Sequence, residues 1–387
     1  MRHTDDLPVP DSRSWLPHDV LRALDGMGDW LSSWWTVGVV AVVAALLVVL
    51  AVRRRRRRRV TPASGGRRRA WPPAVAATLT TVLALGLAVN AYVGYVPDVE
   101  AARLLLTNES GLSLGTSSTR RAGSDTVGAV HEVHIPAPAD LRVPASSTWV
   151  YTPPGYDPQE ATRYPVVYLL HGSPGSSVDW FAAGRIASLM DALLADDLIR
   201  PMIVVAPDIN GTGPGAHDTE CLDSTTGGSL VETYLTGVVV PWVDAHYASL
   251  PGWEHRVVGG MSAGGFCALD LGLRHPELYG TILAIEGFGD PGDGGRAMLA
   301  TTAEFEARSP SSYLPTMTFV HPVAVFLDAG DESAEGGATA RELARTLRER
   351  GQVVELRTEP GQGHTWTMAR FGAAYGLVFA SRQMDQG

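Results

Sequence analysis

The chain contains no lysine; all 31 of its basic residues are arginine. An absence that complete reflects a GC-rich genome and assigns no activity. Cysteine is almost missing as well, with Cys221 and Cys267 the only two in 387 residues, at a spacing that matches no metal-ligand pattern. That argues against a cysteine-bound metal and leaves two readings: one disulfide in an exported domain, or a buried thiol and a loop thiol. Basic charge is scarce over most of the length. Thirteen arginines and six acids precede Pro97, while the remainder carries 18 arginines against 35 acids, a formal charge of −17. A nucleic-acid-binding surface on that remainder is therefore not expected. No internal repeat is present.

Long apolar runs occur twice, and only near the N-terminus. Trp34 to Val52 is 19 residues without a charge, entered through Trp30, Trp34 and Trp35. Ala74 to Val96 is a second uncharged run of 23 residues, with Tyr92 and Tyr95 near its end. Each has the length of a membrane-crossing helix with interfacial aromatics. Between them lie seven consecutive arginines, Arg53 to Arg59, and three more, Arg67 to Arg69. The positive-inside rule makes that loop cytoplasmic and puts everything after Val96 outside. A nucleic-acid patch is the other reading of the arginines, and their place between two spans argues against it. Val89-Asn90-Ala91 has the small-residue look of a signal-peptidase site, but the run is longer than a signal h-region, so retention is expected. The expected organisation is an anchor over 1–96 (spans 34–52 and 74–96, loop 53–73), a linker over 97–124, and a catalytic domain over 125–387. Within the linker, Val99 to Leu106 reads as a short helix.

In the third part, strand-like and helical patterns alternate. Strands are expected at Val127–Ile135, Thr148–Tyr151, Tyr164–Leu170, Met202–Ala206, His255–Val258, Thr281–Ile285, Val323–Leu327 and Val353–Arg357. Helices are expected at Val178–Leu198, Leu230–Tyr247, Ala263–Leu273, Ala338–Arg350 and Thr365–Phe379. Two opening strands in hairpin order, then strand–helix alternation, fit an α/β-hydrolase: a mostly parallel sheet covered by helices.

Gly260-Met261-Ser262-Ala263-Gly264 has the Gly-x-Ser-x-Gly form of a nucleophile elbow, fed by the strand Arg256-Val257-Val258 and followed by a helix. With 42 glycines in the chain the pentapeptide is cheap, and it occurs again at Gly111-Leu112-Ser113-Leu114-Gly115. No strand feeds that copy and no helix follows, so Ser262 is the candidate nucleophile and Ser113 is linker. The fold needs an acid and then a histidine downstream. His364, between the last strand and the closing helix, is placed to act as general base. The strand Val323–Leu327 delivers Asp328, Asp331 and Glu332. Asp328 braces the strand end, Asp331 is the choice for orienting His364, and Glu332 is the alternative. The oxyanion donors expected are the backbone amides of Ala263 and of Ser173, in the loop His171-Gly172-Ser173. His171 supports that loop rather than moving protons. Two weaker signals are read conservatively. Gly211-Thr212-Gly213-Pro214-Gly215 is a rim loop rather than a phosphate cradle, and Asp218, Glu220 and Asp223 form a solvated acidic rim rather than a calcium site. Gly287 to Thr318 is the candidate substrate-covering segment.

The segments Val166 to Gly172, Val240 to Tyr247, Gly259 to Leu269 and Gly363 to Trp366 together resemble the esterase family that includes esterase D, the feruloyl esterases and the antigen 85 mycolyltransferases. The resemblance covers roughly Val127 to the C-terminus. It implies serine-dependent acyl chemistry without cofactor or metal. Family members often place the acid two or three residues beyond the strand-end glycine, whereas Asp331 directly follows Gly330, which keeps Glu332 in play. The anchor and composition look like actinobacterial envelope members. The expected function is thus a membrane-anchored serine esterase or acyltransferase, acting through an acyl-enzyme on Ser262. Its expected substrate is an acyl ester at the outer face of the cytoplasmic membrane, with an envelope lipid or glycolipid as the candidate source. The contrasting class is a catalytically silent scaffold that uses the same fold for binding. Oligomeric state is not encoded in any feature of the chain.

Overall fold

A computed structural model describes residues 16–18, 20–21, 29–60, 71–110, 126–144, 146–211 and 217–385. The expectations for Ser113, Arg67 to Arg69 and Thr212 to Gly215 lie outside the described residues. The chain forms two compact units, Gly26–Arg103 and Leu104–Gly387 together with Met1–Asp25.

In the smaller unit, α1 (Trp34–Val60) packs against α2 (Trp71–Val93), and α3 (Val99–Ser110) begins at its end. The stretches Trp34–Arg56 and Pro73–Val93 have mean hydropathies of 2.8 and 1.8, with only 6% of each apolar window buried. By length and composition each suits a bilayer. Helix α1 runs on through the arginines instead of stopping at Val52, since arginine is a good helix former and nothing there breaks the ladder. Asn90, a costly residue in so apolar a helix, is fully engaged: Nδ2 donates to the carbonyls of Leu31 and Val96, and Oδ1 accepts from Val96 N–H at 2.8 Å.

The larger unit is built on one eight-stranded sheet with spatial order β1-β2-β4-β3-β5-β6-β7-β8. The strands are β1 (Ala129–His134), β2 (Ser147–Thr152), β3 (Val166–Leu170), β4 (Ile203–Ala206), β5 (Arg256–Met261), β6 (Thr281–Ile285), β7 (Ala324–Gly330) and β8 (Val353–Glu359). β2 pairs antiparallel with both β1 and β4, and every later pairing is parallel. β3, β5 and β6 are buried along their whole length, which explains why they read as unbroken apolar runs rather than as alternating patterns.

One face of the sheet, with Tyr168, Val258, Ile282 and Val325, packs on α8 (Ala263–Arg274), on α12 (Ala334–Glu349) and on the helical stretch from Val231 to His246. The opposite face meets α13 (Trp366–Met384), where the rings of Phe326 and Phe379 meet at a tilt with centroids 5.9 Å apart. Thr365 caps α13, its side chain accepting from Met368 N–H. The helix expected over Val178–Leu198 is instead two, α4 (Asp179–Ala182) and α5 (Ile186–Ala195), separated where Arg185 takes a left-handed φ of 51°. Gly184 permits the break, because a Cβ there would stand 2.7 Å from the Trp180 carbonyl. The stretch Leu230–Tyr247 is helical as expected but passes, between α6 (Val231–Tyr234) and α7 (Val240–His246), through a π-helical turn, Leu235–Val239.

The segment between β6 and β7 holds three short helices, α9 (Gly292–Met298), α10 (Thr302–Ala307) and α11 (Pro310–Tyr313). It is pinned to the body by charge. Arg308 lies 2.6 Å from Asp270 of α8 and also pairs with Glu232, while Tyr313 Oη donates to Asp270.

Candidate active site

The carboxyl ends of β3, β5, β6, β7 and β8 bring the candidate residues to one edge of the sheet. β5 ends in Gly259-Gly260-Met261, and the chain then reverses at Ser262, whose φ of 60° and ψ of −124° lie far from any regular element. Such a conformation costs a non-glycine residue about 1–3 kcal/mol and is held by its surroundings. Here Ser262 N–H donates to Ile285 O at 3.0 Å, and Ser262 O accepts from Gly265 and Phe266 N–H. The flanking glycines are obligatory. A Cβ on Gly260 would stand 2.2 Å from Gly264 O, and one on Gly264 would stand 2.1 Å from Leu170 O. Strand, turn and helix therefore interlock only with Gly-x-Ser-x-Gly.

Ala263 is the first residue of α8, so its N–H has no acceptor within the helix and lies at the positive end of the helix dipole. The loop after β3 lies directly alongside: a Cβ on Gly172 would be 3.2 Å from Ser262 Cβ and 3.8 Å from Ser262 Oγ. Buried contacts set this loop. His171 Nδ1 faces Gly172 O at 2.8 Å while Nε2 accepts from Ile209 N–H at 3.1 Å, so both ring nitrogens are committed. Trp180 Nε1 donates to Leu170 O, and Ser173 Oγ accepts from Asn210 Nδ2. With both nitrogens engaged, His171 holds the loop.

His364 is partly open to solvent and its Nδ1 meets a carboxylate, but not the one expected. The partner is Glu286 Oε2, at 3.1 Å. Asp331 and Glu332 do not take this place. β7 extends to Gly330, and its next residues turn outward, so Asp331 Oδ1 accepts from Gly361 N–H at 2.7 Å and serves the loop before His364. Glu332 is exposed and touches that loop through its backbone, its N–H donating to Gln362 O.

Glu286 comes from the end of β6, one residue after the carbonyl that holds Ser262 N–H. Its backbone is left-handed, with φ 49°, and its own N–H donates to Asp328 O at 2.8 Å. The side chain is buried and accepts from Gly330 N–H. Burial pushes the Glu286 carboxyl up, but His364, Gly330 N–H and Ser333 together hold it below the usual glutamate value. It is thus ionised at neutral pH and suited to receive an imidazole N–H. Sequence reasoning missed Glu286 because it sought the acid only after the next strand. The available signal was a carboxylate placed directly between a buried strand, Thr281–Ile285, and a glycine.

Asp328, the strand-end brace, is fully buried beside Arg357, whose Nε stands 3.6 Å from Oδ2 and whose guanidinium covers the Tyr375 ring at 3.2 Å. Burial dominates there and pushes the Asp328 carboxyl up to about 7 despite Arg357.

Cys221 and Cys267 are joined as a disulfide, Cα to Cα 5.6 Å, which ties the loop after β4 to the second turn of α8. The acidic rim divides: Asp223 is engaged by Thr233 N–H and hydroxyl, whereas Glu220, expected in solvent, is buried. Among the described residues no group of three or more His, Cys, Asp or Glu side chains is arranged to hold a metal ion.

Comparison with known proteins agrees with this fold. The family model described as "Putative esterase" matches residues 147–373. An uncharacterised protein of Corynebacterium glutamicum is 31% identical over 148 residues, covering 38% of this chain and 34% of that protein. An endo-1,4-beta-xylanase/feruloyl esterase of Xylanibacter ruminicola is 30% identical over 139 residues, covering 34% and 18%. The match thus spans a third or less of those curated relatives. Among solved structures, a ferulic acid esterase superposes with a TM-score of 0.59 at 24% identity over 66% of this chain and 99% of that one. An S-formylglutathione hydrolase from Agrobacterium tumefaciens gives 0.58 at 17% identity over 70% and 100%. At these identities the structural likeness speaks for the fold. With the family model covering more than half of its length, the chain belongs to the putative-esterase family, with the α/β-hydrolase fold.

Proposed function

We propose that the chain is a serine hydrolase of carboxylic esters whose triad is Ser262, His364 and Glu286. The observation that carries the reading is the His364–Glu286 pair, which stands one residue beyond the carbonyl that fixes Ser262 in its elbow. Ser262 Oγ attacks the ester carbonyl carbon as its proton passes to His364 Nε2. Glu286, ionised, holds the Nδ1 proton and stabilises the imidazolium. The amides of Ala263 and Ser173 receive the oxyanion. Collapse of the tetrahedral adduct breaks the bond to the alkoxy oxygen, which leaves with the proton from His364. The acyl-enzyme is then resolved by water, or by an acceptor alcohol, whose proton His364 takes and returns to Ser262 as the acid or new ester departs.

The setting is part of the proposal: α1 and α2 cross the cytoplasmic membrane and the catalytic unit works outside it. Large apolar side chains stand out from both helices, Val42 at 60% exposure and Leu85 at 65%, as a bilayer would require. The arginine run that ends α1 supports a cytoplasmic side for the connection between the two helices. The disulfide supports an oxidising compartment for the other unit.

A fluorophosphonate probe tests the nucleophile. Wild type is expected to be labelled at Ser262 and the Ser262→Ala variant to remain unlabelled; equal labelling of the two would remove the assignment.

A further inference from the structure

The loop after β4 and the loop after β6 meet at a cluster of carboxylates that the ester chemistry above does not use. Asp218 and Glu220 both press on Gly294, where a Cβ would lie 2.9 Å from Asp218 Cγ and 2.9 Å from Glu220 Cγ. Asp290, four residues before, adds a third negative group whose charge acts on Glu220. Glu220 is 5% exposed, and its Oε2 is buried with no hydrogen-bond partner among the described residues. Burial, and then the charges of Asp218 and Asp290, push its carboxyl up to about 9. A buried polar atom without a partner costs about 1–3 kcal/mol, and two neighbouring carboxylates raise that cost. Among the described residues no donor or cation offsets it, so at neutral pH the carboxyl keeps a proton unless a cation takes its place. Glu220 and Cys221 are moreover held in consecutive left-handed conformations, φ 46° and 53°, where side-chain-bearing residues are rare.

The cluster is tied to the reacting centre from both sides. Cys221, next to Glu220, is bonded to Cys267, five residues along α8 from Ser262, a rise of about 7.5 Å. Asp290 follows Glu286 by four residues, a reach of at most about 14 Å. The remainder of the chain beyond Pro97 carries −17, a net charge that attracts cations to it as a whole. No described group of acids is arranged to hold a metal ion, and an organic ammonium tolerates longer and less regular contacts.

We propose that Asp218, Glu220 and Asp290 form a subsite that binds a positively charged ammonium group carried by the ester substrate. The inference rests on the hydrolase reading and narrows its substrate class to esters with a cationic group on the acyl or the alcohol side.

The test uses two isosteric pairs: butyrylcholine against its neutral dimethylbutyl ester, and a trimethylammonio-acyl para-nitrophenyl ester against its tert-butyl counterpart. The quantity read is the ratio of kcat/KM, cationic over neutral, within each protein, so that a general loss of activity cancels. Wild type is expected to favour the cationic member of at least one pair by about tenfold, less at high salt. Asp218→Asn and Asp290→Asn, at more exposed positions, are each expected to cut that ratio severalfold, as is Glu220→Gln if it folds. Neutral esters turned over with a ratio near one in both pairs would overturn the subsite and leave the hydrolase reading standing. A high ratio unchanged by Asp218→Asn and Asp290→Asn would overturn it too. So would a calcium-dependent rise in melting temperature that Asp218→Asn abolishes, with no ammonium preference. If wild type turns over no ester of either pair, the hydrolase reading fails and the subsite falls with it.

Discussion

Glu286 and Asp328 are close neighbours with opposite fates. Ile285 and Asp328 are partners in the β6–β7 register, both carboxylates are buried at the carboxyl edge of the sheet, and one backbone hydrogen bond joins the two residues. Yet Glu286 is held below the usual carboxylate range while Asp328 is pushed up to about 7. Burial acts against the charge in both. What differs is who faces the oxygens. Glu286 accepts from Gly330 N–H and pairs with His364 at 3.1 Å, whereas Asp328 has one guanidinium at 3.6 Å and, among the described residues, only weak contacts from Arg357 and the Ala329 N–H. Directed donors, more than nominal ion pairing, decide which buried carboxylate is ionised and available to orient a base.

The largest expected effect separates the two by function. Glu286→Gln keeps the shape but cannot stabilise the imidazolium, and kcat/KM is expected to fall about 10^3–10^4-fold. Asp328→Asn is expected to cost less than about tenfold in the same steady-state assay. Next comes stability. Arg357→Met leaves Asp328 buried without its cation and takes the guanidinium from over Tyr375, so a loss of about 3 kcal/mol in a denaturant titration is expected.

Smaller still are the pH dependences, which run in opposite directions. A carboxyl with a raised folded pKa stabilises the fold below its unfolded value and loses that contribution as pH climbs through the folded one. Asp328→Asn should therefore gain on wild type by about 2.5 kcal/mol between pH 5 and pH 8 in thermal melts. Glu286, with its lowered value, contributes above the unfolded pKa and loses this as pH falls. The deficit of Glu286→Gln should accordingly shrink below about pH 4.

The same contrast explains what could be read in the chain. The elbow was legible because close backbone approach demands glycine at Gly260 and Gly264, and that demand is written at fixed spacing around Ser262. The order of parallel strands was legible because fully buried strands are apolar throughout. His364 followed from its place between the last strand and the closing helix. The acid was not legible, since Asp328, Asp331, Glu332 and Glu286 all stand at strand ends. The choice among them depends on the left-handed backbone at Glu286 and on donors from Gly330 and Ser333, far away in sequence. The break between α4 and α5 escaped for a related reason: it rests on Arg185 in a conformation that only tertiary packing sustains. Glu220 was read as a rim residue because acids are rarely buried, and its burial is a property of the disulfide-tied loop.

The most direct test of the account is one assay of kcat/KM on a single neutral ester for wild type, Glu286→Gln, Asp331→Asn and Glu332→Gln. Collapse in Glu286→Gln alone, with the other two within about threefold of wild type, is the expected result. Collapse in Asp331→Asn or Glu332→Gln, with Glu286→Gln near wild type, would contradict it.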